Sequence, residues 1–469
     1  MSCHIKRTEL TSEQITQIRK HLCLKPQAPK VFNPQQNFYT TQNTKESILF
    51  YKVLDDEVVL PYYFYKKLTD KQPNSDKVFP QVNFEMIGKP RPYQEPVLEE
   101  AIEHLTKYGT TLLGVYPAFG KTFAAAFLAQ WSKVVTCIFY HRQILGSQWL
   151  STFKEHTKAR VWLVEEPEEP EDGYDIILCM DTQFYKLAKK ITDKIGMIVF
   201  DEVHAFCTPS RVDCWLGTEP KYVVTLSATP EREDEMHSMR QAVCGLHGIY
   251  RLNEAPFTLI RFFTGIKPET KKNKQGTLDW NNLVTTLCEN EIRNSYIIDF
   301  VKQNLQFKIL ILTWRKGHAK LIHEKLNSDG IKTAIMAGTT TSYSDSKVLV
   351  GTISKIGTGF DEKSACQDFG GERINLLIMV GSTKSESIIE QTLGRVFRST
   401  DPYIVFFNDD VGTIRNHYSI LKKWATQSGR NANIFDMKSA VIQTREKEKR
   451  SAKSKQEELL EIAAANVDS

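Results

Sequence analysis

Short apolar runs alternate with helical stretches in two consecutive series, and this alternation restricts the possible folds more than any other feature of the chain. Apolar runs without polar alternation are typical of parallel strands covered by helices on both faces. The first series consists, in order, of TLLGVY, an alanine-rich helix, VVTCIFY, QILGSQWLSTF, ARVWLV, DIILCM, MIVFDE and YVVTLS. It predicts an α/β lobe with a parallel sheet over residues 86–250.

The second series has the same character and begins after the polar stretch KPETKKNKQG. It consists of KILILTW, the helix HAKLIHEKLNSDG, TAIMAG, KVLVGTIS, INLLIMV, the helix SESIIEQTLGRVF and YIVFFND. A chain of 469 residues is also too long for a single hydrophobic core. We therefore expect a second, similar α/β lobe over residues 251–436, with a cleft between the two lobes.

The two ends of the chain differ from both lobes. Aromatic and β-branched runs such as SILFYKVL and EVVLPYYFYKKL predict a small N-terminal α+β domain over residues 1–85, in which we find no chemical motif. Its Tyr62, Tyr63 and Phe64 are expected to pack in a strand core rather than to stack on bases. Residues 437–469 are rich in Lys, Glu, Gln and Ala, which predicts an exposed charged helix or a disordered tail.

Composition argues against several classes of protein. No apolar run approaches the roughly 20 residues needed to span a bilayer, and the first residues lack the apolar segment of a secretion signal, so we expect an intracellular protein. The nine cysteines form no CxxC pair, which argues against a disulfide framework and against a zinc site. The net charge of +5 is too small to establish nucleic-acid binding by itself, so the motifs have to decide.

A phosphate-binding loop is predicted where the strand TLLGVY meets the alanine-rich helix. In such a loop, backbone N–H groups and the helix N-terminus surround the phosphates, a lysine reaches the β and γ oxygens, and a hydroxyl binds Mg²⁺. The residues expected in these roles are Pro117, Ala118, Phe119 and Gly120 in the loop, Lys121 on the phosphates and Thr122 on Mg²⁺. The strict pattern has a glycine where Val115 stands, and many loops of this kind have one at Ala118, so a chance loop is the alternative.

An acidic pair, Asp201 and Glu202, ends the apolar run MIVF. Strand ends in parallel sheets face the ligand crevice. Asp201 is therefore expected to hold Mg²⁺ through water, and Glu202 to act as general base toward the attacking water. A solvated pair at a strand end is the alternative.

Two further segments follow in order, TLSATPERED after the strand KYVV and EQTLGRVFR in the second lobe. If the latter is one helix, Gln391, Arg395 and Arg398 share a face because of their spacing of four and three. Two guanidinium groups on that face could then stabilise the γ-phosphoryl group during transfer, with Gln391 helping to position the water. A surface helix with two exposed arginines is the alternative.

The order DEVH, SATP and QxxGRxxR resembles helicase superfamily 2. The nearest resemblance is to DNA helicases of large cytoplasmic DNA viruses, especially the poxvirus helicase that releases nascent transcripts. It is carried by FGKT in the phosphate-binding loop, NEIRNSYIIDFV, GTGFD and EQTLGRVFR. A more distant resemblance, through RPYQ, DEVH and SATPERED, is to XPB-type translocases and to helicase subunits of restriction enzymes. The motifs run from Arg91 to Arg398, about two thirds of the chain.

The resemblance assigns further residues. Gln94 in RPYQ would read adenine, Asp361 in motif V would couple to the nucleotide, and DIILCMDTQF and TWRKGHAKL would be motifs Ib and IV. Residues that would contact the nucleic acid are Arg142 and Gln148 in motif Ia (IFYHRQILGSQW) and Thr352 and Gly357 in motif V (GTISKIGTGFD). Residues that would relay the nucleotide state are His204, Ser227 and Thr229.

The function implied by the resemblance is an ATP- and Mg²⁺-dependent DNA helicase or translocase with two tandem RecA-like lobes. It would bind ATP between the lobes, act as a monomer on single-stranded or tailed duplex DNA, and track 3′ to 5′. Viral transcription or DNA repair is the implied setting, with RNA and an RNA polymerase complex as further partners. A viral protein would act in the host cytoplasm or the virion, and an XPB-like one in a nucleus.

Three other functions remain open. One is an RNA helicase, and another is a nucleic-acid-stimulated ATPase that remodels a polymerase complex without unwinding. The third is an inactive pair of lobes that serves as a binding scaffold, against which the intact Lys121, Glu202, Arg395 and Arg398 argue.

Overall fold

The structure is a computed structural model that describes residues 1–27, 30–33, 38–41, 47–165, 168–232, 234–274, 276–357 and 360–439. The chain divides into two compact units, Met1–Leu252 and Asn253–Ser469. Among the described residues, every helix is too short or too polar to cross a lipid bilayer. The predicted tail lies almost entirely outside the described residues, beyond position 439.

The first unit contains a sheet in which the described part has seven strands, all paired in parallel. The strands are β8 (Thr110–Val115), β9 (Thr136–Tyr140), β10 (Val161–Leu163), β11 (Ile176–Met180), β12 (Met197–Asp201), β13 (Tyr222–Leu226) and β14 (Ile249–Arg251). Their order across the sheet is β10-β11-β9-β12-β13-β8-β14. The central strands are buried along almost their whole length, which agrees with their unbroken apolar sequences.

Helices cover this sheet and begin or end where the sequence allows. They are α3 (Glu95–Tyr108), α4 (Lys121–Ser132), α5 (Gln143–His156), α6 (Lys189–Thr192), α7 (Val212–Leu216) and α8 (Ser238–Cys244). Helix α3 ends at Gly109, whose φ of +76° is a left-handed conformation that glycine adopts without steric cost. Helix α4 is rich in alanine and packs closely on the sheet through Ala124, Ala125 and Ala129.

The N-terminal segment belongs to the first unit. Its described elements are β1 (Ser2–Lys6), β2 (Cys23–Leu24), β3 (Lys30–Asn33), β4 (Phe38–Thr41), β5 (Ile48–Leu49), β6 (Lys52–Val53), β7 (Glu57–Pro61), α1 (Ser12–Leu22) and α2 (Tyr62–Thr69). Ser2 Oγ donates to Leu216 O at 2.9 Å, and the ring of Phe50 meets Trp215 edge-on. The segment therefore shares a continuous core with the sheet domain.

The second unit repeats this architecture. Its described strands are β15 (Phe257–Phe263), β16 (Ile309–Thr313), β17 (Thr333–Met336), β18 (Val348–Thr352), β19 (Leu376–Met379), β20 (Tyr403–Asn408) and β21 (Ala432–Lys438). Its described helices are α9 (Trp280–Glu289), α10 (Glu291–Lys302), α11 (Lys316–Ser328), α12 (Ile353–Ile356), α13 (Glu362–Ala365), α14 (Glu386–Leu393) and α15 (Gly412–Ala425). The strands are all parallel, in the order β17-β18-β16-β19-β20-β15-β21.

The two sheets have the same topology. When the strands of each are numbered from one to seven along the chain, both sheets read 3-4-2-5-6-1-7 across the described strands. This duplication confirms the predicted fold class of two tandem RecA-like α/β lobes.

Three details of the prediction are wrong. Tyr62, Tyr63 and Phe64 lie in helix α2 and not in a strand, because the run after Pro61 places Tyr62, Tyr65 and Leu68 three residues apart on one packed face. The second series begins earlier than expected, since β15 precedes the polar stretch KPETKKNKQG. Arg261 interrupts the apolar sequence of β15 and pairs with Asp436 on β21.

The third error concerns the helix expected through EQTLGRVFR. Helix α14 ends at Leu393, and the chain then tightens into a 3-10 turn at Val396–Arg398. The N–H of Arg395 accordingly donates to Thr392 O, three residues back. Gly394 explains the break, because glycine has the lowest helix propensity after proline.

A completely buried ion pair lies in the second unit where β15, β19 and β20 end. Arg293 Nε donates to Asp409 Oδ2 at 2.9 Å, and neither side chain is exposed to solvent. Thr264 Oγ1 donates to Asp409 Oδ1, and Arg293 Nη2 donates to Val380 O. Burial raises the pKa of Asp409, and Arg293 opposes that shift.

Replacing Asp409 with Asn should lower the free energy of unfolding of the second unit by about 3–5 kcal/mol, because Arg293 would keep a buried charge without its counterion. The matched control is Asp436→Asn, which breaks the exposed Arg261–Asp436 pair and should cost less than about 1 kcal/mol. Urea denaturation of both variants measures the difference. Equal losses of unfolding free energy in the two variants would show that the buried pair stabilises the unit no more than the exposed pair does.

Candidate nucleotide-binding site

The predicted phosphate-binding loop joins β8 to α4 at the carboxyl end of the first sheet. Ala118 has a φ of +71° and Gly120 a φ of +94°, both in the left-handed region. The φ of Gly120 is strained for residues with a side chain, and a Cβ atom there would lie 2.5 Å from Gln94 Nε2, so both features favour glycine. Helix α4 begins with Lys121 and Thr122, which brings both residues to its N-terminus, where anions are stabilised.

The side chain of Gln94 is hydrogen-bonded to the backbone of this loop. Its Oε1 accepts the N–H of Arg91 at 2.9 Å, and its Nε2 donates to Phe119 O at 2.8 Å. The ring of Phe119 in turn meets Tyr93 and Tyr116, each with a centroid distance of 5.5 Å. The base contact expected of Gln94 would have to use its second N–H and its remaining lone pair.

The acidic pair lies at the end of β12. Trp149 Nε1 donates to Asp201 Oδ2 at 2.9 Å in a buried setting. Burial raises the pKa of Asp201 to about 6, and the neighbouring Glu202 adds to the shift, while Trp149 and Lys121 oppose it. Glu202 has a left-handed φ of +53°, and its Oε1 lies 3.9 Å from Lys121 Nζ.

These residues fit a nucleotide with Mg²⁺. Glu202 Oε2 is buried without a hydrogen-bond partner, which is the state of a group that can accept a proton from a bound water. Within the described ranges, no three His, Cys, Asp or Glu side chains converge to bind a metal by themselves. That finding is compatible with an ion held by Asp201, Thr122 and substrate oxygens, the usual arrangement for Mg²⁺.

The three residues expected to relay the nucleotide state are adjacent. His204 Nδ1 lies 3.0 Å from Ser227 Oγ, which also accepts the N–H of Thr229 at 3.1 Å. His204 Nδ1 is 3.5 Å from Glu202 Oε2. Burial lowers the pKa of His204, Arg232 and Lys121 lower it further, and Glu202 opposes them. His204 therefore lies at ion-pair distance from Glu202 and is hydrogen-bonded to Ser227 in the loop after β13.

The candidate residues of the second unit lie on two neighbouring segments. Arg398 donates to Asp361, whose Oδ2 also accepts the N–H of Ser364 at 3.0 Å. Burial would raise the pKa of Asp361, but Arg398 and the Ser364 N–H hold it below the usual value. Gln391 is half-buried on α14, and Arg395 lies one 3-10 turn before Arg398. Their spacing of three still keeps the two arginines on one side.

The residues expected to contact nucleic acid have different surroundings. Arg142 is exposed immediately before α5, and Gln148 is half-buried on that helix. Thr352 is buried before α12, with its Oγ1 3.3 Å from Ser354 Oγ. A Cβ at Gly357 would lie 2.7 Å from Ile353 O, so close packing requires glycine there. Thr358 and Gly359 of motif V lie outside the described residues.

Sequence reasoning missed several residues that shape the site. Trp149 directly follows Gln148, and its contact with Asp201 was not foreseen. Arg232 donates to His204 O at 2.7 Å, and Arg211 donates to Ala205 O at 2.6 Å. Arg232 lies within the motif TLSATPERED, so its place in that motif could have drawn attention to it. Arg211 has no comparable sequence signal.

Replacing Ala118 with Gly should stabilise the first unit by about 1 kcal/mol, because glycine adopts a φ of +71° without the steric cost that alanine carries. The control is Ala129→Gly within α4, which should cost about 1 kcal/mol since glycine is a poor helix former. Thermal unfolding curves of the two variants should therefore shift in opposite directions. Shifts in the same direction would contradict the strain at Ala118.

Comparisons with known proteins show similarity to helicases. Residues 87–232 match the family described as "Type III restriction enzyme, res subunit". The chain is 25% identical to "Putative helicase 161L" of Invertebrate iridescent virus 6, over 89% of this chain and 96% of the relative. It is 29% identical to "Putative helicase 055L" of Frog virus 3, over 70% of this chain and 75% of the relative.

A third relative comes from another large virus. The chain is 24% identical to "Putative ATP-dependent RNA helicase L396" of Acanthamoeba polyphaga mimivirus, over 72% of this chain and 67% of the relative. The matched relatives extend beyond the first unit, and the two lobes have the duplicated fold described above. The chain is therefore similar to superfamily 2 helicases, and the relatives named here are helicases of large DNA viruses.

Proposed function

We propose that this helicase is an ATP-driven motor that moves along DNA. The observation that carries the proposal is the meeting of Lys121, Asp201 and Glu202 at one edge of the first sheet. Glu202 is also connected, through His204, with Ser227 on the next strand end. Glu202, as a general base, lies near Lys121 and near a histidine that contacts a neighbouring loop. This arrangement suits ATP hydrolysis that is coupled to a conformational change.

Lys121, Thr122 and Asp201 are proposed to hold the triphosphate and its Mg²⁺. The metal would neutralise charge on the phosphate oxygens when bound. Glu202 would take a proton from the attacking water, because its buried Oε2 has acceptor capacity to spare. The N–H groups at the start of α4 and the ammonium of Lys121 would stabilise charge that develops on the phosphoryl group.

Gln391, Arg395 and Arg398 of the second unit are proposed to complete the reaction. Arginine is suited to this role because its planar fork matches phosphate oxygens. Arg398 donates to Asp361 within its own unit, so any phosphate contact by Arg398 has to share its guanidinium with that carboxylate.

Replacing Lys121 with Ala should lower the ATPase kcat by at least about 100-fold, because the site loses a positive charge directed at the phosphates. The fold should persist, since alanine favours the helix that begins there. Lys154→Ala, at an exposed position of α5, is the matched control and should keep wild-type turnover. Wild-type turnover in Lys121→Ala would overturn the assignment of the site.

DNA is the proposed substrate because the motifs resemble those of DNA-acting viral helicases. We expect steady-state ATP hydrolysis to rise at least about tenfold with single-stranded or tailed duplex DNA, and this stimulation to fade as salt increases. The assay compares no nucleic acid, single-stranded DNA, duplex DNA and RNA at two salt concentrations. Stimulation by RNA alone would make this an RNA helicase, as one relative is named.

The wider role is proposed from the same resemblance. A monomeric motor of this kind would act in viral transcription, in the infected cytoplasm or the virion, and release transcripts from a stalled polymerase. A strand-displacement assay separates unwinding from translocation. Release of RNA from a stalled elongation complex tests the role in transcription.

A further inference from the structure

The turn that follows Glu202 is held by two arginines. Glu202 has a left-handed backbone, a conformation that residues with a side chain seldom adopt unless their surroundings impose it. The 3-10 turn Val203–Phe206 comes next, and two of its carbonyl oxygens accept bonds from guanidinium groups. Arg232 Nη1 donates to His204 O at 2.7 Å, and Arg211 Nη1 donates to Ala205 O at 2.6 Å.

Each arginine is fixed by a carboxylate, but the two carboxylates lie in different places. Asp234, the partner of Arg232, lies two residues further along the same loop. Asp181, the partner of Arg211, lies on another segment, directly after β11. Arg211 thus joins the turn to the segment after β11, whereas Arg232 and Asp234 join it to the loop after β13.

The link through Asp181 is buried and well defined. The Asp181 side chain is only 4% exposed, and its Oδ1 accepts the N–H of Thr182 at 2.8 Å. The Arg211 guanidinium lies over the ring of Phe206, 5.5 Å from the centroid. A charge pair with little solvent around it is weakly screened, so a small displacement of one partner acts strongly on the other.

The segment that begins at Asp181 leads to an exposed surface suited to nucleic acid. Thr182 is exposed, Tyr185 is 80% exposed, and Lys189 and Lys190 follow as exposed cations. An accessible aromatic ring can stack on a base, and lysines can neutralise phosphates. This segment follows the carboxyl end of β11, and Asp201 and Glu202 lie at the carboxyl end of β12. The two strands are parallel, and β9 alone lies between them in the sheet.

We propose that the Asp181–Arg211 pair couples nucleic acid bound at residues 182–190 to the position of Glu202. A strand seated on Tyr185 and the lysines would fix the segment that starts at Asp181, and Arg211 would carry that constraint to the Ala205 carbonyl. Asp181 and Arg211 are positioning residues, because their side-chain hydrogen bonds go to each other, to Thr182 and to the Ala205 carbonyl rather than to the phosphate-binding loop. The inference rests on the proposed function, since it requires ATP hydrolysis that responds to nucleic acid.

The test is Asp181→Asn, which preserves shape and the acceptor for the Thr182 N–H but removes the charge. The matched control is Asp175→Asn, at the opposite end of the same strand β11. Asp175 is also almost completely buried, also pairs with an arginine (Arg160 Nη2 to Asp175 Oδ1, 2.7 Å), and also accepts a backbone N–H. The two substitutions therefore remove comparable ion pairs at the two ends of β11, the carboxyl end near the catalytic residues and the amino end away from them.

Asp181→Asn should lower the ratio of DNA-stimulated to unstimulated kcat by about tenfold, within the usual range of coupling between two sites. The KM for ATP and the Kd for single-stranded DNA, measured by fluorescence anisotropy, should change less than about twofold, because both binding surfaces remain. Asp175→Asn should keep the wild-type ratio. In the double variant with Arg211→Gln, the ratio should fall no further than in Asp181→Asn, since one link is broken in both.

The outcomes separate the coupling from the proposed function. If neither DNA nor RNA stimulates the wild-type protein, the proposed function fails and the coupling fails with it. If the wild type is stimulated and Asp181→Asn keeps the full ratio, the coupling alone is refuted. Equal losses in Asp181→Asn and Asp175→Asn would refute it as well, because they would indicate a general loss of structure.

Discussion

The parallel pairing of the strands is the constraint on which the candidate site depends. In a parallel sheet all carboxyl ends meet at one edge, so the loops that leave those ends are neighbours even when they are far apart in the sequence. In the first unit β12, β13 and β8 are adjacent, and they lead to the acidic pair, to Ser227 and to the phosphate-binding loop. The distances from Glu202 to Lys121 and from His204 to Ser227 follow from this order.

The second unit has the same strand order, but different residues lie at the carboxyl ends of the equivalent strands. Thr264, Val380 and Asp409 directly follow its first, fifth and sixth strands, and the Arg293 guanidinium contacts the last two. In the first unit the equivalent ends lead to the residues proposed to bind ATP. In the second unit, the corresponding place is occupied by the side chain of Arg293, whose charge is neutralised by Asp409. The duplicated framework thus carries the proposed nucleotide site in the first unit and a structural ion pair in the second.

Much of this could be predicted from sequence because buried parallel strands have a strong local signature. The apolar runs, the glycine and lysine of the phosphate-binding loop and the acidic pair all lie within short segments. Contacts that cross the fold leave no such signature. Trp149 meets Asp201 from 52 residues away, and Gln94 meets Phe119 from 25 residues away. Strand β15 escaped recognition because Arg261, whose partner Asp436 lies far along the chain, breaks its apolar pattern.

Two unfavourable features coincide at the end of β12. Asp201 is a buried carboxyl whose pKa is raised to about 6 by burial and by Glu202, and Glu202 itself has a left-handed backbone. Such strain persists only where surrounding contacts enforce it, and here Arg211, Arg232 and Trp149 provide them. A bound cation would favour the ionised form of Asp201 and so relieve part of this cost. Ligand binding and the stability of the first unit are therefore linked, since a ligand that binds only the folded state stabilises it.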